Sequence, residues 1–384
     1  MTKKNLKIVT INIDYTLAMD SPNFGDAQER NILYGKYVNK IFSITHSPKK
    51  MKLKNKKLSE QVEIFPTSSI KPHFFLFDAL NIARLIFINH KIDLVLTQDP
   101  FITGLVGYIL KKRYGCSFLI HFHGDFWSNK YWLREKWYNP ILFLLSKFLV
   151  KKADGIRVVS SGIKDKLVKK GIDENKIRVI PTPVDLKKFK DYDKKKVEKI
   201  KKEYQGRKVI INVGRKDPAK DYKTLYKAIE LVYRDYKKLA FLQIGNGDYL
   251  PEKIKADENL ILKSIDKISQ KEVINYYYAS DIYISSSCHE SLGKVLIEAM
   301  AISLPVVATN TTGSKEIIED EKNGFLVPIG DSQALAKKIL FLLNNSDKAE
   351  KIGKSGQQMV IKKFNQQKII KQTIKFWKDL AKRK

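Results

Sequence analysis

Two glutamates eight positions apart, Glu290 and Glu298, stand in the stretch Ser285-Ser-Ser-Cys-His-Glu-Ser-Leu-Gly-Lys-Val-Leu-Ile-Glu-Ala-Met-Ala301. A carboxylate is a poor phosphate ligand but accepts hydrogen bonds well from sugar hydroxyls. Gly293 lies between the two, and a helical pattern runs from Val295 to Ala301. A glycine bend that opens a helix presents backbone N–H groups, here those of Gly293, Lys294 and Val295, and these suit a phosphate. Eight helical residues span roughly 12 Å, which suits a diphosphate with a sugar at one end and a ribose at the other. The stretch points to a ligand with anionic phosphate and neutral polyol parts, as in a nucleotide sugar. By spacing alone, two solvent-facing glutamates around a core helix would look the same.

Arg215 and Lys220 follow an apolar run that ends at Gly214. Cations at a strand end can hold a diphosphate and stabilise its charge as it leaves, Arg by bidentate contact and Lys as a point charge. In a chain with 72 lysines and arginines such a pair carries weight only through the motif downstream. In the first half, His123 and Asp125 flank Gly124 just past the run Phe118–Phe122, so the backbone there can approach a ligand closely. His121 reads as a packed strand residue. Gly25 and Asp26 open the first helix, either as a close-approach site or as a helix entrance with an acidic first turn. Gly245-Asn-Gly247 reads as a plain turn, and Asp191-Tyr-Asp193 as a solvated loop rather than a metal chelate. No third ligand at suitable spacing makes a metal site of His123 and Asp125.

These residues need elements to position them, and the pattern supplies strands alternating with helices. Strands are expected at Lys7–Ile13, Val38–Thr45, Gln61–Phe65, Asp93–Thr97 and Phe118–Phe122, with helices near Asp26–Tyr37 and over Phe75–Asn89. Two prolines in Ile180-Pro-Thr-Pro-Val-Asp185 read as a linker. A second alternating series begins at Lys208–Val213. It continues through helix Tyr222–Tyr233, strands Ala240–Ile244 and Leu260–Leu262, helix Gln270–Tyr277 and strand Asp281–Ser285. Only helices are expected after Gly330, the last with Ile370, Ile374, Trp377 and Ala381 on one face. Such alternation implies doubly wound parallel sheets, which bind ligands at the carboxyl ends of their strands.

The 384 residues suit two domains, and a hydrophobic fraction of 43% is that of a globular chain. Two cysteines, Cys116 and Cys288, cannot build a disulfide framework or a four-cysteine zinc site. No secretory leader or bilayer-spanning run is read, so a cytoplasmic protein is expected. A net charge of +31 calls for anionic partners. The aromatic and lysine-rich stretch from Tyr131 to Lys152 fits either an amphipathic helix at an anionic membrane interface or a buried helix. The run Lys49–Lys57 reads as a solvated loop that can also touch lipid phosphates.

Glu290-Ser-Leu-Gly-Lys-Val-Leu-Ile-Glu298-Ala-Met-Ala, with Pro305-Val-Val-Ala-Thr, Gly313-Ser-Lys-Glu316, Asn323-Gly-Phe-Leu-Val327, Val213-Gly-Arg215 and Lys220, resembles the nucleotide-sugar signature of the family-four retaining glycosyltransferases. The match covers most of residues 205–330 in order. It departs at Ser291–Leu292, where Gly-Phe is usual, at Ser303–Leu304, where a Gly is usual, and at Thr312, where the first of two glycines is usual. The resemblance implies the GT-B fold, with two Rossmann-like doubly wound parallel-sheet domains facing across a cleft. Residues 1–184 would bind the acceptor, 185–364 the nucleotide sugar, and 365–384 would form a helix crossing back to the first domain. Glu290, His123, Arg215 and Lys220 would be catalytic. Arg215, Lys220, Gly293, Lys294, Val295, Glu298 and Gly25 would bind the donor. The family implies front-face transfer with no metal or other cofactor. A glycan or lipid-linked acceptor is expected at the inner face of the cell membrane. Two rivals stay open: a sugar-nucleotide epimerase of the same fold, and a nucleic-acid-binding protein, although scattered lysine is a poor nucleic-acid recognition element.

Overall fold

The computed structural model describes residues 6–20, 26–245 and 259–382. The chain divides into two compact units: Met1–Pro183 together with Gln367–Lys384, and Val184–Gln366.

The first unit is built on eight strands: β1 (Lys7–Asn12), β2 (Lys40–Thr45), β3 (Lys56–Ser59), β4 (Val62–Pro66), β5 (Leu94–Thr97), β6 (Ser117–Phe122), β7 (Gly155–Val158) and β8 (Ile177–Val179). Their spatial order is β3-β4-β2-β1-β5-β6-β7-β8. Every neighbouring pair is parallel except β3–β4. The chain leaves β1 towards β2 and later returns to its other side at β5, so the order reverses between β1 and β5. Helix Phe75–Asn89 lays Ala79, Ala83 and Ile86 against Val9, Ile11, Phe42 and Ile44 of the sheet. The spacing of these three follows the helical repeat. Strand β3 lies in the lysine run read as a solvated loop. It is an antiparallel edge strand, and Lys56 and Lys57 are the kind of residue that blunts an exposed edge.

The second unit has six parallel strands: β9 (Lys208–Val213), β10 (Leu239–Ile244), β11 (Leu260–Ile265), β12 (Ile282–Ser285), β13 (Val306–Thr309) and β14 (Phe325–Val327). Their order is β11-β10-β9-β12-β13-β14, which places the reversal between β9 and β12. Leu225, Ile229 and Val232 of helix Tyr222–Asp235 pack with Leu335, Ile339 and Leu342 of helix Ser332–Asn344 over this sheet. Each such side chain contributes about 1.5–3 kcal/mol when fully buried. The doubly wound parallel sheets expected from the sequence are therefore borne out in both units.

The final helix, Gln366–Ala381, buries Ile370, Ile374 and Trp377 as its pattern predicts. It packs tightly on the first unit. A Cβ on Gly155 of β7 would meet Leu380 Cδ1 at 2.6 Å, and Ser117 Oγ donates to the Leu380 carbonyl at 3.0 Å. The expected linker at Ile180–Asp185 is anchored at its start. The Arg157 guanidinium donates to the carbonyls of Ile180 and Pro181 at 2.9 and 2.6 Å. Among the described residues no helix is long and apolar enough to cross a membrane.

Candidate active site

In the second unit the chemistry-bearing residues gather at the carboxyl ends of β9 and β12, where strand order reverses and a crevice opens between diverging connections. Gly214 and Arg215 leave β9. The Tyr222 hydroxyl pins their turn, donating to one or other of the carbonyls of Gly214 and Arg215, 3.1 and 2.9 Å away. Gln243 of β10 donates to that hydroxyl at 3.2 Å. A short turn, Pro218–Lys220, then leads to Asp221. This residue takes a left-handed backbone (φ 44°) and caps helix Tyr222–Asp235 by accepting from Thr224 N. The Ser286 hydroxyl, just past β12, lies 2.6 and 3.0 Å from the carbonyls of Lys220 and Asp221. Cys288 N donates to the Ala219 carbonyl at 2.8 Å. The loops after β9 and β12 are thereby stitched together.

That stitching brings Lys220 and Glu290 into an ion pair, Nζ to Oε2 2.8 Å, with both side chains about a quarter exposed. The two lie 70 positions apart in the chain, and only the β9–β12 pairing explains their meeting. Beyond Glu290 the backbone turns at Gly293 (φ 76°), a conformation suited to glycine, and enters helix Lys294–Ala301. Helix Thr312–Ile317 supports this turn from below. Gly313 N donates to the Glu290 carbonyl at 2.8 Å, and a Cβ on Gly313 would meet Leu292 N at 2.6 Å.

Glu298 sits inside the helix and is 7% exposed. Gln270 Nε2 donates to its Oε1 at 2.9 Å and the Tyr277 hydroxyl to its Oε2 at 3.4 Å. These contacts hold the carboxylate in a fixed orientation. Burial, and then the charge on Glu298, push the Tyr277 phenol well above its ordinary range, which keeps it a donor. Glu316, also in the sequence motif, is paired with Lys363 at 2.7 Å. Burial likewise raises the Cys288 thiol, so it is not primed as a nucleophile.

In the first unit His123 lies just past β6, its Nε2 2.6 Å from Gln98 Oε1. Its side chain keeps contact with solvent. Enclosure by the walls around it, followed by the charges of Arg157 and Arg30, lowers its pKa and leaves a neutral imidazole at pH 7. Asp125 is instead buried in an ion pair with Lys166, at 2.6 and 2.8 Å. His121 is the packed strand residue expected. Asp193 caps helix Lys194–Glu203 by accepting from Lys196 N at 3.1 Å. Gly25 lies outside the described residues, as does the Asn246-Gly247 turn. Sequence reasoning passed over Tyr222, Gln243, Gln270, Tyr277 and Ser286. Their signal was polar groups in strands, helices and strand ends otherwise filled by apolar residues.

Two doubly wound parallel-sheet units are the architecture of the GT-B fold. A family model for glycosyl transferases group 1 matches residues 193–359, and one for glycosyltransferase family 4 matches residues 41–188. The chain belongs to these group 1, family 4 glycosyltransferases. It is 26% identical to an uncharacterized glycosyltransferase of Methanocaldococcus jannaschii, over 83% of this chain and 84% of that one. It is 28% identical to the capsular polysaccharide biosynthesis glycosyltransferase CapM of Staphylococcus aureus, over 59% of this chain and 62% of the relative. The fold is also that of Anabaena HepE in complex with UDP, with a TM-score of 0.76 and 18% identity, covering 97% of this chain and 100% of that one.

Proposed function

We propose that the protein is a retaining hexosyltransferase that uses a nucleoside-diphosphate sugar, with uridine as the base. It transfers the sugar to a glycan or lipid-linked acceptor in surface polysaccharide synthesis. The observation that carries this reading is the Lys220–Glu290 pair at the ends of β9 and β12. The UDP bound to HepE and the capsular role in the name of CapM support the donor and the pathway.

In this reading Arg215 and Lys220 hold the diphosphate, together with the backbone N–H groups of Gly293, Lys294 and Val295. Glu298 takes the ribose hydroxyls and Glu290 a hydroxyl of the transferred sugar. The acceptor binds the first unit, where His123 donates to or accepts from a sugar hydroxyl. Transfer is front-face. The acceptor oxygen bonds to the anomeric carbon on the side from which the phosphate oxygen departs, and that oxygen takes the acceptor proton. The leaving charge is stabilised by Arg215 and Lys220, so no metal is required and EDTA should not change the rate.

Catalysis takes place at the inner face of an anionic membrane. Helix Asn139–Lys152 supports this. Ile141, Leu144 and Phe148 are exposed on it at helical spacing, and Trp137 just before it is 83% exposed. Lys147 Nζ lies 4.5 Å from the Phe143 ring and Lys152 Nζ 5.7 Å from the Phe148 ring. Apolar groups flanked by lysines suit an anionic headgroup layer. The test is a panel of nucleotide sugars, with and without saccharide and lipid-linked acceptors, followed by NMR of the product anomer. The reading requires acceptor-dependent transfer with the anomeric configuration kept. An altered free sugar formed without acceptor would replace it with epimerisation.

A further inference from the structure

The first unit carries a cavity of about 180 Å³ on one face of its sheet. Alternate positions on neighbouring strands build its floor. Thr10 and Asn12 come from β1, His121 from β6 and Arg157 from β7, and His121 lies directly opposite Arg157 in the register. Helix Ala27–Gly35 and the C-terminal helix close over it through Tyr34 and Trp377, whose rings stand 5.0 Å apart.

Three features of this cavity belong to no step described so far. Arg157 is 3% exposed, and its hydrogen-bond partners among the described residues are neutral: the carbonyls of Ile180 and Pro181. Among the described residues no carboxylate pairs with it, and a buried cation without counter-charge is unfavourable. Trp377 Nε1, a group that can only donate, is buried with no partner among the described residues. His121 Nε2 is buried in the same condition. Arg30, also on the wall, is already paired with Asp26. Asp14 lines the cavity too, but it is exposed, and its Oδ1 accepts from Thr16 N and Oγ1.

We propose that this cavity is an oxyanion site that seats an anionic group of the acceptor, with Arg157 providing the charge and Trp377 and His121 the hydrogen bonds. The inference rests on reading the first unit as the acceptor-binding one. A phosphate ester and a sugar carboxylate present the same chemistry to these groups, so both are tested. The acceptor is then a charged saccharide or saccharide phosphate rather than a neutral sugar.

The experiment is calorimetric titration of the whole chain with inorganic phosphate, glucose 6-phosphate and glucuronate, each with and without saturating UDP. At least one probe should bind with one-to-one stoichiometry. Trp377→Phe and His121→Gln should each weaken it roughly tenfold, and UDP should not displace it. Arg157→Met should abolish it, and if that variant does not fold the other two still decide. The preference between glucose 6-phosphate and glucuronate names the group. The proposal is overturned if no probe saturates at millimolar concentration, if the variants bind as well as the parent through diffuse surface charge, or if UDP competes. In each of those cases intact UDP binding leaves the glycosyltransferase reading standing. Failure to bind UDP would count against that reading instead.

Discussion

At the scale of single residues, the Lys220–Glu290 pair has the sharpest consequences. If Lys220 stabilises the departing diphosphate, Lys220→Met should lower kcat/KM by about 10²–10³-fold with little change in circular dichroism. Glu298→Gln keeps the shape of a buried side chain, so its effect should fall on nucleotide affinity. We expect UDP binding to weaken by roughly 10–100-fold, the range for a hydrogen bond to a charged group. Unchanged affinity would remove the ribose role. The glutamates were legible in sequence because a turn glycine and a helical pattern frame them. Their partners were not, because Lys220 meets Glu290, and Gln270 and Tyr277 meet Glu298, only through sheet order. Arg157 was illegible for a related reason: a lone cation in a buried strand has no local pattern to announce it. Titration follows from burial at this scale too. His121 is neutral in the fold to well below its ordinary value, so below about pH 6.5 the unfolded chain binds a proton that the native chain does not. The His121 contribution to stability therefore falls as pH drops through 6.5. Asp99 acts oppositely: burial raises its pKa to about 6, so stability recovers as it is protonated from above pH 6 downwards. The separable prediction is a difference. Urea titrations at pH 7 and pH 5 should show His121→Gln losing less stability on acidification than the parent, by about 1–2 kcal/mol.

At the scale of elements, three departures from the family pattern acquire physical meanings. Ser303 takes a left-handed backbone (φ 65°), and its carbonyl packs so closely on helix Ser346–Lys363 that a Cβ on Gly353 would lie 2.0 Å from it. The glycine usual at this turn would adopt that conformation freely, whereas serine is strained there. Ser303→Gly should raise the unfolding free energy by about 1 kcal/mol, read from urea denaturation. Gly313 survives where Thr312 replaces its usual neighbour, because only a residue without Cβ fits beneath Leu292. Gly313→Ala should destabilise by about 1–3 kcal/mol and also reduce activity, since the displaced backbone carries Glu290. Leu292, where Phe is usual, is buried and props the same turn. The alternation of strands and helices was readable almost to the residue at Lys208–Val213 and Phe75–Asn89. Strand β3 was not, because its lysines follow the needs of an exposed edge rather than those of a core.

At the scale of the whole molecule, a net charge of +31 and the exposed face of helix Asn139–Lys152 carry the membrane proposal. Replacing Ile141, Leu144 and Phe148 together with glutamate should abolish sedimentation with vesicles of anionic phospholipid. Transfer to a water-soluble acceptor should persist, and binding by the parent should weaken as salt rises. The division into two doubly wound units could be read from the repeated strand–helix alternation and from the prolines near position 181. The sugar and acceptor could not, because they depend on side chains that the fold brings together from distant strands. The central claim is that the switch point of the second unit binds the nucleotide of a sugar donor. Calorimetric titration with UDP tests this directly, on the parent, Lys220→Met and Glu298→Gln. The account predicts one-to-one binding to the parent, weakened at least tenfold in each variant, with all three proteins folded. Equal affinity across the three would contradict it.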